Sequence, residues 1–135
     1  MGYNLFLDDM FTPTQISELP NVPVKDKTRY RTYNWKVVKT YEEFIAVIKD
    51  KGIPDIVSFD HDLHEEHWEF IFNDENWIKN NDEININYDI FVEKTGYHAA
   101  EWLMEYCSQK SSNMPICLVH SQNAIGRKNI NNLLF

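Results

Sequence analysis

Four short apolar runs punctuate the chain: Asn4 to Leu7 (NLFL), Trp35 to Val38 (WKVV), Ile56 to Phe59 (IVSF) and Ile116 to Val119 (ICLV). They are continuous rather than alternating, the pattern of strands buried on both faces, as in a parallel sheet covered by helices. Between them apolar positions recur at helical spacing. Thr40 can cap a helix, with Glu43 completing a capping box, Phe44, Ile45 and Ile48 on one face, and Lys51-Gly52 closing it ahead of Pro54. Thr95-Gly96 introduces a second helix, Tyr97 to Tyr106, that packs through Ala99, Ala100, Leu103 and Met104. A last helix runs from Arg127 to Leu134, after Gly126. Residues 11 to 34, with Pro13, Pro20, Pro23 and a basic stretch from Lys25 to Arg31, read as loop with one short helix around Thr14 to Leu19.

Residues 64 to 94 break this rhythm. They are acidic, rich in Asn and aromatics, and without a clean period, which marks an insertion after the third strand. A short helix around His67 to Phe72 and a hairpin near Ile84 to Phe91 are expected within it. Its Trp68, Phe70, Phe72 and Trp77 need apolar cover, so the insertion is expected to fold over the domain or form a lid. The 135 residues suit one domain, 1–135, with the insertion inside it.

Composition narrows the function. A net charge of −8 argues against general DNA binding, since phosphate neutralisation needs a basic surface. A small anionic ligand is compatible with that charge if a metal or a few basic side chains meet it. Cys107 and Cys117 lie among apolar residues without metal-ligand spacing and read as free thiols, with a disulfide as the alternative. No leader or membrane span is read, and Phe6 stands where a myristoylation motif needs Ser or Thr, so a cytoplasmic protein is expected.

The candidate chemistry lies at the strand ends. In open parallel sheets ligands bind beyond the carboxyl ends of the strands, and these ends read Asp8-Asp9, Asp60-His61-Asp62 and His120-Ser121. Four carboxylates in one crevice repel one another and resist desolvation, a conflict that a hard divalent cation, Mg²⁺ or Mn²⁺, removes. His120 has the better claim as general acid or base. His61 alternates with the two aspartates and on an extended segment points away from them, so packing and catalysis are both open to it. Ser121 can offer a hydroxyl to a phosphate oxygen, and Arg127 at a helix start can add a cation, although Gly126-Arg127-Lys128 lacks a P-loop frame.

Taken together, LFLDD (5–9), FDHDL (59–63), TGYHAAEWL (95–103) and VHSQNAIGRKNI (119–130) resemble the cyclic-phosphate processing receiver-like domains, relatives of response-regulator receivers. The resemblance implies a flavodoxin- or receiver-like three-layer sandwich with a short, mostly parallel sheet of about four strands. It places Asp8, Asp9 and Asp60 in the metal and acceptor positions, and Ser121 where receivers keep a hydroxyl. The stretch after Ser121 is too short for a further strand with the receiver's lysine, whereas His61, Asp62 and His120 are additions that the resemblance ties to phosphoesterase chemistry. The expected function is therefore a metal-dependent phosphoesterase acting on a cyclic phosphate of a nucleotide or RNA end. Asp8, Asp9, Asp60 and Asp62 would hold the metal, His120 and His61 would move protons, Asp60 would be a possible nucleophile, and Ser121 and Arg127 would bind phosphate. The alternative is a non-enzymatic receiver-like module that binds metal, accepts phosphate or docks a protein. Aromatics left exposed in the insertion would suit a homodimer.

Overall fold

The computed structural model describes residues 2–20, 22–63, 94–121 and 123–135, together with the backbone of 77–80 and 83–86. Its elements are β1 (Asn4–Leu7), α1 (Pro13–Ser17), α2 (Val24–Thr32), β2 (Trp35–Val38), α3 (Tyr41–Lys51), β3 (Ile56–Phe59), β4 (Trp77–Asn80), β5 (Glu83–Ile86), α4 (Gly96–Gln109), β6 (Ile116–Val119) and α5 (Ala124–Leu134). The four expected strands form one parallel sheet in the order β2-β1-β3-β6. Burial follows that order. The central strands β1 and β3 are almost wholly buried, whereas β2 and β6 at the two edges show water part of their surface.

Side-chain parity divides the core between two layers. On one face Leu5, Leu7, Val57 and Phe59 pack against Phe44 and Ile48 of α3, Ala99, Ala100 and Leu103 of α4, and Ile130 of α5. On the other, Phe6 packs with Ile16, Val22 and Tyr30 from α1, α2 and the turn between them. Thr40 caps α3 by accepting from the Glu43 amide at 3.1 Å. The Glu43 carboxylate reaches back to the amide of Lys39, at 3.4 Å, rather than to Thr40, so the expected box is one residue wider.

Two readings of the sequence differ from the structure. Residues 24–32 form a helix where a loop was expected. Tyr30 is its one buried residue, so no apolar period announces it. The hairpin in the insertion pairs Trp77 with Ile86 and Asn80 with Glu83, earlier than the expected 84–91. The expected helix around residues 67–72 and the cover for Trp68, Phe70, Phe72 and the Trp77 side chain lie outside what is described. Cys107 and Cys117 are both free thiols, and burial pushes Cys117 up to about 12. Among the described residues, no helix is long and apolar enough to cross a membrane.

Candidate metal and phosphoryl site

Register builds the site. Phe6 of β1 pairs with Ser58 of β3, which pairs with Leu118 of β6. Two residues further along each strand, on the same parity, stand Asp8, Asp60 and His120. The backbone ladder continues past the strand ends to hold them, through Asp8 N–H to the Val38 carbonyl, Asp60 N–H to Leu7 and His120 N–H to Phe59, each at 3.0 Å. One ligand atom from each of Asp8, Asp60 and His120 lies within 4.8 Å of the other two, and all three residues are buried.

Each member is held by further bonds. Asp8 Oδ1 accepts the backbone N–H groups of Met10 (2.8 Å) and Phe11 (2.9 Å). Its Oδ2 lies 3.0 Å from His120 Nε2. The imidazole stacks on Phe6, with ring centroids 4.4 Å apart and planes 7° from parallel. Its Nδ1 lies 2.6 Å from Ser58 Oγ, which in turn lies 2.6 Å from the Tyr30 hydroxyl. Burial lowers the pKa of His120, and the bond to Asp8 only partly offsets this, which favours the neutral ring. The single ring proton then sits on Nε2 and is donated to Asp8. Nδ1 accepts from Ser58, and Ser58 accepts from Tyr30. One direction of donation satisfies the whole buried chain.

Asp60 is the site's unstable charge. Its Oδ1 accepts the His61 N–H at 2.9 Å. Burial first, then the neighbouring Asp8 and Asp62 carboxylates, push its carboxyl well above the usual range, and the His61 amide opposes the shift without cancelling it. Asp8 and Asp60, buried side by side with like charge uncompensated at Asp60, form with His120 a group that could hold a metal ion, the imidazole joining it only by giving up its bond to Asp8 or Ser58.

The other expected residues surround this group. Asp9 is half-buried and adds to the charge on Asp60. His61 is fully buried, and because the chain bends after β3 its Nδ1–H turns to Asp62 Oδ1, at 2.7 Å, instead of pointing away. Asp62 also takes the Asn123 amide, at 3.4 Å from each carboxylate oxygen. Ser121 Oγ accepts the Asn123 N–H at 3.1 Å, and Arg127 Nη1 donates to the Ser121 carbonyl at 3.2 Å. Asp8, Asp60 and His120 thus form the inner group. Asp62 and His61 form a second pair joined to α5, and Ser121 and Arg127 flank the end of β6.

Four contributors escaped the sequence reading. Ser58 was a polar residue in an otherwise apolar strand, and that was its signal. Tyr30 was hidden in a basic stretch. Asn123 caps α5 by accepting the Gly126 N–H at 3.0 Å. Gly96 lets the start of α4 press on the turn, its N–H bonding the His61 carbonyl at 2.8 Å. Asn123→Ala removes both the cap and the tie to Asp62, with an expected loss of about 1–2 kcal/mol. A lowered urea midpoint at unchanged slope would show it.

A parallel sheet in this order, with buried acids beyond the ends of β1 and β3, defines a receiver-like α/β domain. The sequence model of the cyclic-phosphate processing receiver domain matches residues 3–135, and the chain belongs to that family. No curated protein matches the chain significantly, and no solved structure does.

Proposed function

We propose that the domain is a metal-dependent phosphoesterase that opens a cyclic phosphate on a nucleotide or an RNA end. The observation that carries this reading is the buried row Asp8, Asp60 and His120, whose ligand atoms lie within 4.8 Å of one another. The family's description, cyclic-phosphate processing, points to the same chemistry. Asp8 and Asp60 would hold Mg²⁺ or Mn²⁺, with Asp9 and Asp62 as the further carboxylates of the set. Such an ion, when bound, offsets their charge and polarises a phosphoryl oxygen.

His120 handles the proton. Burial keeps it a neutral imidazole, with its ring nitrogens bonded to Ser58 and Asp8, able to exchange a proton with the attacking water or the leaving hydroxyl. His61, buried as His120 is and with its Nδ1–H held by Asp62, is the second candidate and orients that carboxylate. Ser121 and Arg127 bind phosphate oxygens. The sum is addition of water at phosphorus and cleavage of one ring P–O bond, giving a monoester and a free hydroxyl. Attack by Asp60, through an acyl-phosphate that water then hydrolyses, gives the same products.

The test is incubation with 2′,3′- and 3′,5′-cyclic nucleotides and with oligomers bearing cyclic ends, in Mg²⁺, Mn²⁺ or EDTA. Turnover that needs metal and disappears in both Asp60→Asn and His120→Ala is expected. Absence of turnover on every substrate, with stable acetyl-phosphate labelling of Asp60, would replace the enzyme with a phospho-accepting switch. Ser58→Ala should lower kcat and also cost about 1–3 kcal/mol of stability, because it leaves the Tyr30 hydroxyl and His120 Nδ1 without their buried partner. Steady-state kinetics and urea unfolding of the same preparation read the two effects.

A further inference from the structure

The basic side chains of this acidic protein are unevenly placed. Between residues 25 and 39 stand Lys25, Lys27, Arg29, Arg31, Lys36 and Lys39 against the single acid Asp26, although the chain as a whole carries −8. The first four belong to α2. That helix starts at the site, where Val22, Pro23 and Asp26 line a cavity of about 410 Å³ whose other wall includes His120, Ser121 and Arg127. It ends at the opposite edge of the sheet, where Tyr33 and Trp35 border a hollow with Asn4 and Asp55 at the strand starts. Lys25 with Arg29, and Lys27 with Arg31, form two rows on its flanks, with successive charges in a row about 6 Å apart along the axis. Arg29 stands 3.6 Å from Asp26, and Arg31 Nε donates to Ser17 Oγ at 3.2 Å. Lys25 and Lys27 make no ion pair among the described residues. The outward face of α2 offers little to an apolar partner, since Val24 is its one exposed large apolar residue. Tyr33, directly after the helix, is exposed as well.

We propose that α2 tracks the sugar–phosphate backbone of an RNA strand whose cyclic end is held at His120, so that the substrate is an RNA end and not a free cyclic nucleotide. The proposal rests on the phosphoesterase reading, which places the reacting phosphate at the His120, Ser121 and Arg127 wall. A strip of cations leading away from that wall, on a protein otherwise strongly acidic, attracts a polyanion to this face and repels it from the rest. A cyclic mononucleotide has no further phosphate to reach the strip. Bonding chemistry fixes the strand as RNA. A 3′,5′ ring occupies both oxygens that join a nucleotide to a strand, so a ring at a strand end is 2′,3′ and needs the ribose 2′-hydroxyl. The exposed Tyr33 ring gives an unstacked base of that strand a face to rest on.

Fluorescence anisotropy of a labelled ten-nucleotide RNA with a 2′,3′-cyclic end, titrated with the full chain in EDTA, reads the surface without turnover. The logarithm of the binding constant is expected to fall with the logarithm of salt at a slope of about −2, the value for three phosphate contacts on a single strand. Lys25→Gln/Lys27→Gln should reduce that slope by about 1.4 and weaken binding about 10- to 30-fold at about 0.1 M salt. The circular dichroism spectrum and Mn²⁺ binding should not change. In kinetics with Mn²⁺, kcat/KM for the ten-nucleotide substrate should fall by the same factor, while hydrolysis of a 2′,3′-cyclic mononucleotide is unaffected. No binding of the RNA by the wild type, or an affinity and salt slope that the double variant leaves intact, overturns the proposal. If the mononucleotide is hydrolysed as well as the oligomer, the phosphoesterase stands and the RNA strip falls. Lysine-dependent RNA binding without turnover of any substrate keeps the tracking surface and removes the phosphoesterase.

Discussion

Asp60→Asn is expected to make the metal-free protein more stable at neutral pH and, in the same step, to abolish turnover. The asparagine keeps the shape of the side chain and can still accept the His61 N–H, but it cannot take up the charge that burial, and then Asp8 and Asp62, disfavour there. A gain of about 1–2 kcal/mol is expected, the usual scale when a destabilising functional group is neutralised. The pH dependence carries the sign. The Asp60 carboxyl is raised in the folded state, so the fold binds this proton more tightly than the unfolded chain does. Its contribution to stability is present below the ordinary carboxylate range and is lost as the pH rises through the raised value. Wild type and variant should therefore unfold alike in acid and diverge toward neutrality, with the variant ahead. Saturating Mn²⁺ should reverse the order, since an ion that binds only the folded wild type stabilises it by mass action. Thermal melts across pH, with and without Mn²⁺, measure all of this.

Gly96→Ala is expected to be the most damaging single methyl group in the domain. A Cβ at Gly96 would fall on the Asp60 carbonyl oxygen, a backbone atom with no rotamer by which to escape. Either α4 lifts from the turn or the turn moves, and both break the bond from Gly96 N–H to the His61 carbonyl. The expected cost is about 3 kcal/mol, at the upper end for overpacking, with activity lost even in the fraction that folds because Asp60 is displaced. Urea unfolding gives the first number. Mn²⁺ affinity measured below the unfolding midpoint gives the second. Gly126 is a milder case, since a Cβ there would meet the His61 ring rather than backbone.

The sheet was legible because β1 and β3 are buried on both faces and so read as unbroken apolar runs. The acids and imidazoles at their ends were legible for the same reason: once the strands are parallel, their carboxyl ends share one edge. What the sequence could not show was register. Only the pairing of Phe6, Ser58 and Leu118 makes Asp8, Asp60 and His120 a row and turns Asp62 aside toward His61 and Asn123. Tyr30 was out of reach for a different reason. A helix with one buried side chain leaves no period to detect, and the prolines and charges around it read as loop. His61 was read on an extended backbone, whereas the chain bends there and brings its ring back to Asp62.

Titration calorimetry of Mn²⁺ into the metal-free domain tests the central claim most directly. Holding a cation requires Asp60 to give up the proton that its surroundings favour, so binding should release protons and its heat should depend on the ionisation enthalpy of the buffer. One equivalent bound by the wild type with proton release, and no saturable binding by Asp60→Asn, is the result expected. Absence of saturable binding to the wild type, or binding that Asp60→Asn leaves unchanged, would contradict the account.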